Sequence, residues 1–153
     1  MPLLQTEYEQ DYESWVKQHI TLLQEGRVHE LDIEHLIEEL AGMARRDRHE
    51  LISHLVILLA HLLKWEYQRQ QLTEAWGQFT GKSWRNSLLE QRYRIQAQLE
   101  NSPSLDNYLA EAILNAYPKA VSLAVKETQL PTPTFPTICP YSVQQVLNDE
   151  FYP

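Results

Sequence analysis

The chain has one cysteine, four glycines and no long apolar run. A lone thiol, Cys139, rules out an internal disulfide framework and suits a reducing cytoplasm. The few glycines form no phosphate-cradling loop, and there is no GxSxG nucleophile elbow. There is no HExxH and no paired Glu-x-x-His of the di-iron type. The longest strictly apolar run, Leu55 to Ala60, is far short of the roughly 18 residues that would span a bilayer, so no membrane association is expected. The start, MPLLQTEYEQDYE, is acidic and has no basic n-region, so no signal or transit peptide is expected. No period-two alternation, hairpin dipeptide or internal repeat occurs, which excludes an all-β reading.

What is present favours helix. The chain has 153 residues, enough for one domain over 1–153 with its own core. Leu, Glu, Gln and Ala are abundant. From Glu7 to about Glu25, the residues Tyr12, Trp15, Val16, His19, Leu22 and Leu23 fall on one stripe, and Gly26 is the stop. Asp32 is the expected N-cap of a second, long segment reaching about Gln71, with Ile33, Leu36, Ile37 and Leu40 as its first apolar face. A bend or break is expected near Gly42 to Asp47, where glycine and the run Arg45-Arg46-Asp47-Arg48 interrupt the pattern. Residues 72–82 read as a loop. Ser83 is the expected cap of a third helix, Trp84 to about Glu100. Ser102-Pro103 opens a fourth, and Pro118 inside it predicts a kink. A Pro-rich extended segment over 130–141 follows. Ser142-Val143-Gln144-Gln145 is a capping-box pattern for one short C-terminal helix. The fold class is therefore all-α: a bundle of four main helical segments plus that short helix.

Residues 51 to 67, LISHLVILLAHLLKWEY, supply the trunk. On a helical wheel Glu50, Ser53, His54, His61 and Lys64 form one polar strip, while the leucines fill the rest. The strip reads first as solvent-facing or internally hydrogen-bonded. A metal or acid–base site is the alternative. His54 and His61 lie roughly 10 Å apart along the axis, too far to share one ion, which leaves Glu50 with His54 as the possible pair. Trp65, Tyr67, Trp76, Phe79 and Trp84 gather around the glycine-containing loop and read as an aromatic plug at one end of the bundle. Cys139 reads as packing.

Net charge is −8 and unevenly spread. Residues 1–44 hold two basic and ten acidic residues; residues 45–100 hold nine and six. An acidic chain is poorly suited to nucleic acid, although Arg45, Arg46, Arg48, Arg85, Arg92 and Arg94 make the middle weakly basic.

Taken in order, YEQDYESW, ELDIEHLIEELAGM, HLLKWEYQ, SWRNSLLEQR, NSPSL and FPTICPYSVQQVLNDEF resemble the bacterial domain-of-unknown-function family number twenty-nine, common in cyanobacteria. The resemblance covers about Tyr8 to Phe151. It implies an all-helical bacterial cytoplasmic protein and no particular activity. It matches at Trp15, Glu38, Glu39, His61, Lys64, Trp65, Trp84, Arg92, Pro103, Pro140 and Tyr141. His54 fits it less well, so a site would pair His61 with Glu38 or Glu39. The functional expectations, in order, are a protein–protein interaction or adaptor module with a protein partner or self-association, then a metal or acid–base protein using His61, then nucleic-acid binding. No cofactor and no metal are expected, with His61 the weak candidate ligand.

Overall fold

Helix start and stop signals account for most of the architecture. The computed structural model describes residues 7–69 and 81–153, and every regular element in them is helical. After a single turn at residues 7–10 come α1 (Tyr12–Gln24), α2 (Ile33–Tyr67), α3 (Lys82–Asn101), α4 (Leu109–Thr128) and α5 (Val143–Leu147). Short 3-10 turns lie at Val28–Glu30, Pro103–Tyr108 and Thr132–Thr134. The expected all-α class is what the chain adopts.

α1 starts later than the sequence suggests. Asp11 interrupts the helix with φ −145° and caps it, its side chain accepting from the Ser14 N–H at 3.1 Å. Gly26 ends it as expected, with φ +71°, and the Arg27 N–H returns to the Leu22 carbonyl at 2.9 Å. α3 starts earlier, at Lys82, so Ser83 lies inside the helix and Gly81 is the N-cap, with φ +71°. A Cβ on Gly81 would stand 2.9 Å from the Trp65 ring, so both backbone angle and space require glycine there. α4 passes through Pro118 without interruption. The segment over 130–141 is extended at Pro131 and Phe135, turns at Thr132–Thr134 and bends at residues 137–138. α5 carries the expected capping box between Ser142 and Gln145.

The chain divides into two compact units, Met1–Asp47 and Arg48–Pro153. The boundary falls inside α2, at the end of the predicted Gly42–Asp47 interval. The helix does not break there: α2 is continuous for 35 residues. One glycine costs a helix only about 1 kcal/mol, and the arginines beside it are good helix formers. The interruption is one of burial, since no residue from 41 to 50 is buried.

The second unit has the trunk expected of it. Leu51, Leu55, Leu58, Leu59, Leu62 and Leu63 are fully buried, packed with Leu88 and Ile95 of α3 and Ala112, Ala116, Ala120 and Ala124 of α4. Phe135, Tyr141 and Val146 complete that core. The first unit is different. Among its described residues only Trp15, His19, Leu22 and Asp32 are buried.

Candidate functional site

Asp32 organises the first unit. Its Oδ1 accepts from the His35 N–H at 3.4 Å, the N-cap bond of α2. Its Oδ2 accepts from the Trp15 indole Nε1–H at 3.1 Å and meets His35 Nδ1 at 2.6 Å. Its own N–H donates to His19 Nε2 at 2.9 Å. His19 Nδ1 lies 2.9 Å from the Trp15 carbonyl, which can only accept, so the ring is the neutral Nδ1–H tautomer with both nitrogens committed. Rings stack around this hub. Tyr8 lies on His35 with centroids 4.0 Å apart, and Trp15 on His19 at 4.2 Å. Tyr8 and Tyr12 both donate to Glu39, each at 2.6 Å.

The electrostatics follow from these contacts. Burial alone would raise the Asp32 carboxyl, but hydrogen bonds from His35 and Trp15 outweigh it and hold it below the usual carboxylate range. The hydrogen bond to Asp32 raises the His35 imidazole against the opposing effect of burial. The two tyrosine hydroxyls lower Glu39, and Glu39 pushes the Tyr8 phenol up to about 12. No buried side-chain polar atom of this network lacks a partner, which makes it a structural clasp between α1 and the start of α2. The sequence marked Asp32 as a cap and Glu39 as a candidate ligand. It gave no sign of the clasp, because His19 and Trp15 lie 13 and 17 residues from Asp32.

The predicted polar strip separates into unlike pieces. Glu50 and Ser53 are exposed. His54 Nδ1 donates to Gln91 Oε1 at 3.0 Å, and its Nε2 lies 3.6 Å from Glu50. His61 Nδ1 donates to the Ile57 carbonyl at 2.8 Å, and burial lowers its imidazole. Lys64 is buried and ion-paired with Glu127, and burial lowers its ammonium. Glu38 is exposed and Glu39 is taken by the two tyrosines; both belong to the first unit and His61 to the second. The geometry thus gives Glu39 a partner other than His61. Among the described residues no three His, Cys, Asp or Glu side chains group as metal ligands would.

Of the aromatic cluster, Trp76 and Phe79 lie outside the described residues. Trp65 packs on Tyr152, with centroids 5.0 Å apart, and Tyr67 on Phe135 at 5.7 Å. Arg69 and Arg85 lie over the Trp65 ring, and Trp84 is half-buried. The C-terminal aromatics therefore complete this cluster, a partnership that spacing along the chain could not reveal.

Arg92, counted with the basic middle, is fully buried. It donates to the carbonyls of Val146 at 2.8 Å, Phe151 at 3.0 Å and Gln145 at 3.2 Å, and so ties α3 to the C-terminal segment. Burial raises the Cys139 thiol, and its Sγ lies 3.7 Å from the Tyr141 carbonyl. It has the environment of a packed thiol, not an activated nucleophile. An open groove of about 480 Å³ runs between α4 and the Pro-rich segment. Its one titratable group, the Tyr117 hydroxyl, already donates to the Pro136 carbonyl at 2.6 Å.

The remaining feature is apolar. Tyr12, Ile20, Leu23, Val28, Ile33, Ile37, Leu40 and Met43 are all exposed, whereas among the described residues of the second unit only Leu89, Tyr93, Leu114 and Ile138 are exposed large apolar side chains. The sequence located the Ile33–Leu40 face by its period. A period cannot tell a face that meets the chain's own core from one that meets solvent.

Fold and site together define an all-helical protein with a polar clasp and an outward apolar helix face. No helix among the described residues is long and apolar enough to cross a membrane. The chain belongs to the family described as Domain of unknown function DUF29, whose model matches residues 7–152. No curated protein and no solved structure matches it.

Proposed function

We propose that the protein is a helical protein–protein interaction module that docks through the apolar face of its first unit. The exposed set Ile33, Ile37, Leu40 and Met43 on α2 carries this reading. Contiguous apolar surface rimmed by charge marks interaction sites on soluble proteins. The Asp32 clasp supports it by fixing the outward face of α2 relative to α1. A cytoplasmic location fits the lone, packed thiol. The acid–base alternative has His61 bonded to its own helix, and the nucleic-acid alternative loses Arg92 to the interior.

The test is co-purification from the native host with the full chain and with Leu40→Glu, after confirming equal helix content by circular dichroism. Whatever associates with the wild-type chain is expected to be lost with Leu40→Glu. Unchanged association would contradict docking through this face.

A further inference from the structure

We draw no further inference here: the strongest candidate, the open groove of about 480 Å³ between α4 and the Pro-rich segment, is lined by uncharged side chains alone, and nothing in the structure shows what covers it.

Discussion

Asp32 does four things at once: it caps α2, accepts from Trp15, pairs with His35 and donates its N–H to His19. Asp32→Ala removes the cap and leaves the buried Trp15 indole N–H without a partner. The expected loss is about 3 kcal/mol, read by chemical denaturation followed at the tryptophans. The pair also sets a pH window. His35 is raised, so its contribution is complete below the ordinary imidazole value of about 6.5 and is lost as pH rises through the raised value. Asp32 is lowered, so its contribution is present above the ordinary value of about 3.9 and is lost as pH falls through the lowered value. The first unit should therefore be most stable between these limits. Melting temperature against pH is the measurement, and His35→Gln is expected to abolish the loss on the alkaline side. An unchanged alkaline limb would contradict the pairing. At this scale the sequence showed the cap, because capping is local. The clasp was hidden, because tertiary packing alone brings Trp15 and His19 to Asp32.

The helices differ in how far local residues determine them. The trunk Leu51–Leu63 was legible from periodicity, and the α5 cap from Ser142 and Gln145, since both signals lie within a few residues. The starts of α1 and α3 were misplaced by a few residues. Asp11 outcompeted Glu7 as a start signal, and Gly81 was chosen for space against Trp65, which no local pattern encodes. The C-terminal segment shows the same limit: its anchor, Arg92, reads in sequence as one more surface arginine. Arg92→Lys cannot serve three carbonyls as the guanidinium does. It is expected to cost about 3 kcal/mol and to speed hydrogen exchange across residues 142–151, with Arg92→Ala at least as severe. If exchange there is unchanged, the tie is not what holds that segment. Gly81→Ala, strained at φ +71° and crowding Trp65, should cost roughly 2 kcal/mol in thermal unfolding.

For the whole molecule, the division of labour follows burial. The second unit encloses the trunk leucines of Leu51 to Leu63, while the first holds its two helices by a polar clasp and leaves its apolar face exposed. The long α2 runs through both, as a buried trunk in the second and with an exposed apolar face in the first. The period along α2 was readable at the outset and was read as a core face within one bundle. Burial shows instead that Ile33, Ile37, Leu40 and Met43 are exposed. Hydrogen exchange of the full chain tests this account most directly. The amides of Leu51 to Leu63 are expected to exchange slowest, and Asp32→Ala to speed exchange in α1 and at Ile33 to Leu40 while leaving Leu51 to Leu63 unchanged. Equal exchange in the two units, or an effect of Asp32→Ala that spreads through the trunk, would contradict it.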